Sequence, residues 1–284
     1  MGDKRDVPIR AVRFVRRLRG GSQPILVEGN DGRHYVAKFL DNLQGPNVPF
    51  NEACGAELFE ACGIRVAPWR AILISDRLID RHPECWLETP EGRRRPASGV
   101  CFGSQFLGNS GRSLIEILPG SRFARIRNRK SFWLVWFLDV CCRHSDNRQA
   151  VFCEDARGGL EAFFVDSGHL LGGADGMDQP CAGSSRYLDG RIYPELSSGE
   201  ASSLHRRIEA MDVDRLRKRI STVPEEWKTA AAERALLLGL HRLGSRELGL
   251  TIWDAIFNLD PWRLRHRGAL PRLDQEHQCP ICCA

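Results

Sequence analysis

The chain has no apolar run long enough to cross a bilayer. The longest uninterrupted one, Phe132 to Leu138, is seven residues, against the roughly 20 that a spanning helix needs. No apolar leader follows Met1, and Asp6 stands where a myristoylation signal carries Ser or Thr, so a cytoplasmic location without membrane contact is expected. Internal repeats and low-complexity tracts are missing, which excludes solenoids and arrays. A structural zinc site wants two close ligand pairs, but the Cys279-x-x-Cys282 spacing beside His277 and Cys283 has no second such pair. That tail is read as a frayed end with oxidation-prone thiols.

What is present suits a globular chain of 284 residues, 42% hydrophobic and 27% charged, enough for one large domain or two modest ones. Eleven cysteines, an odd number without an export signal, are expected as free thiols. The net charge of +5 is unevenly placed. Residues 1–40 hold nine Lys or Arg against four Asp or Glu, and Ser121–Lys130 adds Arg122, Arg125, Arg127, Arg129 and Lys130 with no acid. A modest total with scattered acids is a solvated face more often than a polyanion surface, so nucleic acid is not an expected partner.

Ala11 to Leu18 alternates apolar and basic residues, the period-2 pattern of a half-buried strand. Gly20-Gly21-Ser22 permits a turn, Ile25-Leu26-Val27 begins a second strand, and Asn30-Asp31-Gly32 turns the chain into a third, His34–Leu40. A helix is expected from Asn51, as N-cap, to Cys62, with Gly63 ending it. Strands at 69–74 and 99–102 flank a polar loop from Pro83 to Pro96. Further on, Phe132 to Cys142 is apolar nearly all round at helical spacing, which places it in a core. Phe132, Trp133, Trp136 and Phe137 therefore read as packing and not as a stacking platform, since no basic residues interleave. A hairpin over 150–152 and 160–165 follows, then helices at 202–211 and 213–220. A last helix is expected from Pro224, burying Leu236, Leu237, Leu240 and Leu243 and stopping at Gly244. Strands first and helices after is an α+β order.

Within this order four features recur that phosphoryl transfer needs. Phosphates must be approached closely by backbone N–H groups, which Gly20, Gly21 and Ser22 permit. A cation must reach the phosphates, and Lys38 lies on the third strand, with Glu52 or Glu57 on the next helix to hold it. Asp146, in His144-Ser-Asp-Asn-Arg-Gln149, emerges after the buried helix, where a carboxylate orients and deprotonates an incoming hydroxyl. Asp166 ends an apolar strand, where its desolvation calls for a cationic partner such as Mg²⁺. Taken singly, each Asp is equally a turn or cap residue; one hairpin apart and behind the meander, they favour a nucleotide site. Arg148 reads either as a satisfied charge or as a neutraliser of phosphate.

The order of strand, Gly-Gly loop, strand, hairpin, strand with Lys and helix with Glu is that of a protein-kinase-like N-lobe. Arg19–Pro24, Tyr35–Phe39, Asn51-Glu52, His144–Phe152, Val165–His169 and Val223–Trp227 together resemble the HipA-like kinase domain family, over residues from about 10 to 245. The resemblance implies an α+β, bilobal protein-kinase-like fold. Its antiparallel β N-lobe with one helix would cover 1–107, and its mainly helical C-lobe 108–284.

It further implies ATP and Mg²⁺ as ligands and a Ser or Thr hydroxyl of a protein as acceptor, with a partner protein also allowed. Lys38 would contact the α- and β-phosphates, Asp146 would be the catalytic Asp, and Asp166 the metal-binding Asp of an Asp-x-Gly element. Ser104, Gln105, Phe106 and Leu107 would form the hinge that meets adenine through its backbone. One position departs. Val151 stands where kinases place a metal-binding Asn five residues after the catalytic Asp, leaving Gln149 or Asn147 as replacement ligands. The alternative is a catalytically weak or inactive nucleotide-binding module on the same fold.

Overall fold

Apolar–basic alternation makes the first strand, β1 (Ile9–Arg17), which turns Ala11 inward and leaves Arg10, Val12, Arg13 and Arg16 exposed. The computed structural model describes residues 7–109, 113–174 and 185–245, together with positions 250, 252 and 256. In it β1 pairs antiparallel with β2 (Ile25–Gly29), and β2 with β3 (His34–Lys38). Gly32, at φ +75°, lets the chain reverse between β2 and β3.

α1 (Val48–Ala61) follows β3, starting a turn earlier than the expected Asn51. Asn47 and Pro49 form its start, so Asn51 lies inside the helix and is fully buried. β4 (Trp69–Ile74) comes next, then α2 (Asp76–Arg81), capped by the Ser75 hydroxyl. The polar stretch from Pro83 is not a plain loop. It holds a 3₁₀ turn at Pro83–Cys85 and a hairpin of β5 (Leu87–Thr89) and β6 (Gly92–Arg94), anchored by the buried Cys85 and Leu87. This lobe thus has two helices where one was expected, because α2 is too short for periodicity to mark. β7 (Gly99–Gln105) pairs with β3 and β4, and β4 returns parallel to β1, closing a barrel in the order β1-β2-β3-β7-β4. Ile25, Val27, Tyr35, Ala37, Phe39 and Ile72 fill it.

Helices and a small sheet make the rest. β8 (Ser113–Ile115), unforeseen from sequence, pairs with β9 (Gln149–Glu154), which forms the expected hairpin with β10 (Leu160–Val165). α3 (Ser131–Cys141) is buried on almost every side. α4 (Ser198–Glu209) opens on a capping box of Ser197 and Glu200, and α5 (Val213–Ser221) on Asp212. The last helix differs from expectation. Pro224 leads a 3₁₀ turn at Glu225–Trp227, and α6 (Ala230–Gly244) begins after Thr229, whose hydroxyl accepts the Ala232 N–H. Leu240 and Leu243 face inward and Leu236 packs against the core, but Leu237 is exposed.

The basic run of 121–130 is spent on ion pairs. Arg122 and Arg125 meet Glu154, Arg127 meets Asp155, and Lys130 meets Glu200. The seven described cysteines are free and buried; His277, Cys279, Cys282 and Cys283 lie outside the described residues. Among the described residues no helix is long and apolar enough to cross a membrane.

Beside the barrel's own core a second, larger core spans the two parts, and Trp227 is its rivet. Its ring is fully buried, 5.9 Å from Trp69 and 6.3 Å from Phe102, and its Nε1 donates to the Val100 carbonyl at 2.7 Å. Trp227→Ala should therefore lower unfolding free energy by about 3–5 kcal/mol, the range for deleting a large buried aromatic. A urea midpoint that does not move would show that the 3₁₀ turn is not part of the cooperative unit.

Candidate active site

Lys38 ends β3 and is 7% exposed. Its Nζ donates to Glu52 Oε1 and, at 2.7 Å, to Asp166 Oδ1. Burial by itself would lower its pKa, but the fields of Glu52 and Asp166 and their hydrogen bonds outweigh that and hold the amine firmly charged. Of the two glutamates that sequence left open, Glu52 is the partner. Glu57 lies five residues on, about 140° around the helix, where it accepts the Trp69 indole N–H at 2.8 Å and pairs with Arg219.

Glu52 uses its other oxygen as well: Oε2 accepts the Ser167 N–H at 3.1 Å. One carboxylate thus ties the Lys38 strand to the turn after β10. Asn51, one residue earlier, is not the helix cap expected of it. Its Nδ2 faces the carbonyls of Gly168, Leu170 and Gly173 at 2.9, 2.7 and 3.1 Å, fixing the same turn to α1. Contact is closest at Gly55, where an added Cβ would lie 2.4 Å from Ser167 Cβ.

Asp166 itself sits at φ +61°, a left-handed conformation that a non-glycine residue adopts only when its surroundings enforce it. Burial would raise its pKa, but Lys38 above all, with Arg148 and His169, lowers it, so it is a carboxylate. Its Oδ2 accepts from Gln149 Nε2 at 2.8 Å. That contact follows from the β9–β10 register, which sets Gln149 opposite Val165.

Arg148 requires a correction. It is 3% exposed, with Nε and Nη2 on the two oxygens of Asp139 at 2.8 and 2.5 Å, and Nη1 directed at the Val165 and Asp166 carbonyls and the Ser167 hydroxyl. A guanidinium so engaged does not neutralise a transferring phosphate; it props the Asp166 turn from behind. Asp139, which no motif flagged, is its fully buried counterion. His144 is fully buried too, its Nε2 3.4 Å from the Asp166 carbonyl oxygen.

Asp146 is half-buried on the short loop after α3, its Oδ1 accepting the Asn147 N–H at 2.7 Å. Oδ2 has no hydrogen-bond partner among the described residues. Ser145 N–H donates to the His169 carbonyl at 3.0 Å, tying this loop to the Asp166 turn. The Gly20–Ser22 turn lies at the Lys38 end of the barrel, because Ile25 faces Ala37 across the ladder. At the hinge the expectation is corrected in part. Gln105 N–H donates to Pro68 O and Phe106 N–H to His34 O, both at 2.8 Å, so neither donor is open to an adenine ring. Leu107 starts the 3₁₀ turn that follows.

Could these residues hold a divalent cation? Asp166 supplies a carboxylate, and Gln149 brings a carboxamide whose half-turn presents Oε1 beside it. That donor set suits Mg²⁺, which takes one or two protein oxygens and completes its shell with phosphate and water. Val151, in place of the kinase Asn, pairs with Phe163 inside the hairpin and has no ligand atom. Asn147 makes no side-chain hydrogen bond among the described residues, and no group of three or more His, Cys, Asp or Glu gathers there as a metal cage.

A barrel-like strand lobe, a helix carrying the Glu partner of a strand Lys, and a helical lobe bearing two Asp loops define a protein-kinase-like fold. Among solved structures, the Helicobacter pylori proinflammatory kinase CtkA is similar at a TM-score of 0.58 and 12% identity, over 87% of this chain and 99% of that one. The Golgi casein kinase is similar at 0.53 and 11%, over 91% and 76%. No protein-family model matches the chain, and no curated protein matches it by sequence.

Two predictions follow from this packing. Gly55→Ala should destabilise by about 1–3 kcal/mol through overpacking against Ser167, although Ala is the better helix former by about 1 kcal/mol; a raised urea midpoint would contradict the contact. The second concerns pH. Burial, then the charge of Arg148, hold the His144 pKa well below its usual 6.5. The unfolded chain therefore takes up a proton that the folded chain refuses, and stability is lost below about pH 6.5 by up to about 1.4 kcal/mol per pH unit. Burial also pushes Asp139 up to about 6 against the pull of Arg148, which acts in the opposite sense, so the comparison is made with His144→Gln, which shares that group. From about pH 7.5 to about 5.5 the wild type should lose stability relative to the variant; parallel curves would mean that His144 takes up its proton equally in the folded and the unfolded chain, and that its burial does not hold it neutral.

Proposed function

We propose that this protein is an ATP-dependent phosphotransferase that moves the γ-phosphoryl group to a Ser or Thr hydroxyl of a protein in the cytoplasm. The observation that carries the reading is the buried Lys38, held between Glu52 and Asp166 with Gln149 on the far oxygen of Asp166. A fixed ammonium on β3 beside a carboxylate on the Asp-x-Gly turn suits a nucleoside triphosphate. In this reading Lys38 binds the α- and β-phosphate oxygens, and the Gly20–Ser22 amides lie along the phosphates. Asp166, with Gln149 or Asn147 as second donor, holds Mg²⁺, which when bound neutralises charge on the phosphates. Asp146 Oδ2 accepts the hydrogen bond of the acceptor hydroxyl, aims its oxygen at the γ-phosphorus and takes the proton as ADP leaves. Arg148 acts only through the Asp166 turn. Catalysis rests on positioning and charge and needs no covalent intermediate.

A second reading is favoured by one feature: Val151 has no ligand atom, and the group Gln149 turns toward Asp166 is its NH₂. On that reading the same site binds nucleotide without turnover, as an interaction module.

Incubation with Mg²⁺ and γ-labelled ATP separates the two. Wild type should transfer label to protein or release phosphate. Asp166→Ala should lose that activity at least about 100-fold, and Asp146→Asn should lose turnover while still binding nucleotide. Full activity in Asp166→Ala would overturn the kinase reading. Nucleotide binding without any turnover in the wild type, across Ser- and Thr-containing acceptors, would favour the module.

A further inference from the structure

The connection from Leu18 to Pro24, which would cradle the phosphates, is held from outside by a side chain. Leu18 N–H donates to the Pro24 carbonyl at 2.9 Å, closing its neck, and Gln23 N–H donates to the Gly20 carbonyl at 3.0 Å, closing its turn. Gly20, at φ +134°, adopts that backbone freely, but Gln23, at +46°, occupies the left-handed region that disfavours side chains. Its carboxamide holds it there. Nε2 donates to the Glu88 carbonyl and Oε1 accepts the Glu88 N–H, both at 2.8 Å. These are the two bonds that a neighbouring strand would make to that edge of β5.

Arg17 reinforces the same point. Its guanidinium donates to Gln23 Oε1 and, at 2.7 Å, to the Trp86 carbonyl, and pairs with the Glu88 carboxylate at 2.6 Å. The β5–β6 hairpin is itself fixed. Cys85 and Leu87 are fully buried beneath it, and Arg94 reaches across to the carboxylate and carbonyl of Asp41, three residues beyond Lys38. On the inner side an added Cβ at Gly21 would lie 3.0 Å from Gln44 Nε2. The hairpin therefore ties the glycine turn to the segment leaving the Lys38 strand.

We propose that Gln23 is a positioning residue for the nucleotide phosphates and that the β5–β6 hairpin is the rigid abutment that keeps the glycine turn in its binding shape before nucleotide arrives. The proposal rests on the ATP reading above. A free Gly-Gly turn would have to be ordered on binding, at a loss of affinity; a turn already fixed by a side chain avoids that loss.

Gln23→Gly tests it, since glycine accepts φ +46° without strain while losing every side-chain bond. The measurements are the Kd of a fluorescent ADP analogue with Mg²⁺, KM for ATP and kcat, and amide hydrogen exchange over residues 19–24 of the nucleotide-free protein. Kd and KM should rise about tenfold, as the loss of two backbone-directed hydrogen bonds implies, with kcat within about twofold and faster exchange confined to the turn. Glu88→Ala, which keeps the backbone groups that Gln23 uses, should give a much smaller rise. Unchanged Kd and exchange in Gln23→Gly would overturn the proposal, as would a fall in kcat with no change in Kd. A wild type that does not bind the analogue at all would overturn the ATP reading itself, a failure seen before any substitution is made.

Discussion

One ammonium and two carboxylates are buried together between the strand lobe and the helical lobe, and none of the three would be stable there alone. Taking an ion out of water costs several kcal/mol even in a relaxed protein interior. Lys38 and Glu52 are almost wholly enclosed, and Asp166 keeps about a fifth of its side chain exposed. The Lys38 charge is satisfied by oxygens that come from 14 and 128 residues away in sequence. The cluster is therefore a constraint on closure as much as a site. The chain can desolvate Lys38 only by bringing α1 and the end of β10 to it at the same time.

The surrounding structure serves that constraint in layers. Glu52 divides its two oxygens between Lys38 and the Ser167 amide, and Asn51 gathers three carbonyls of the following turn. Gly55 lets α1 press against Ser167 at a distance no other residue allows. Behind the turn a second buried pair, Arg148 with Asp139, directs the remaining guanidinium edge at the Val165 and Asp166 carbonyls. A left-handed Asp166 is thereby over-determined, which is how a strained conformation persists.

The order of the features was legible in the sequence, because a Gly-Gly turn, a strand Lys, a loop Asp and a strand-end Asp are local patterns that do not depend on packing. What was not legible depended on phase and on distant partners. Choosing between Glu52 and Glu57 needs the rotation of α1 against β3, which no local pattern carries; the structure turns Glu52 to Lys38 and Glu57 to Trp69 and Arg219. Arg148 was ambiguous because its neighbour Gln149 meets Asp166 while its own partner, Asp139, lies nine residues back on an apolar helix. The β5–β6 hairpin escaped because three-residue strands carry too little alternation to stand out from a polar loop.

The helix that carries Glu52 is also held on its opposite side, and by the same chain. Arg219 of α5 pairs with Glu57 and Glu60, Arg207 of α4 donates to the Cys62 carbonyl, and the Thr229 hydroxyl donates to Asn47 Oδ1 at 2.7 Å, just before α1 begins. Trp227 closes the gap between this bracing and the strand lobe through Val100. α1 is thus held between the Asp166 turn on one face and α4, α5 and Thr229 on the other. The segments after Ser197 are therefore as much part of the site's foundation as the strands that carry it.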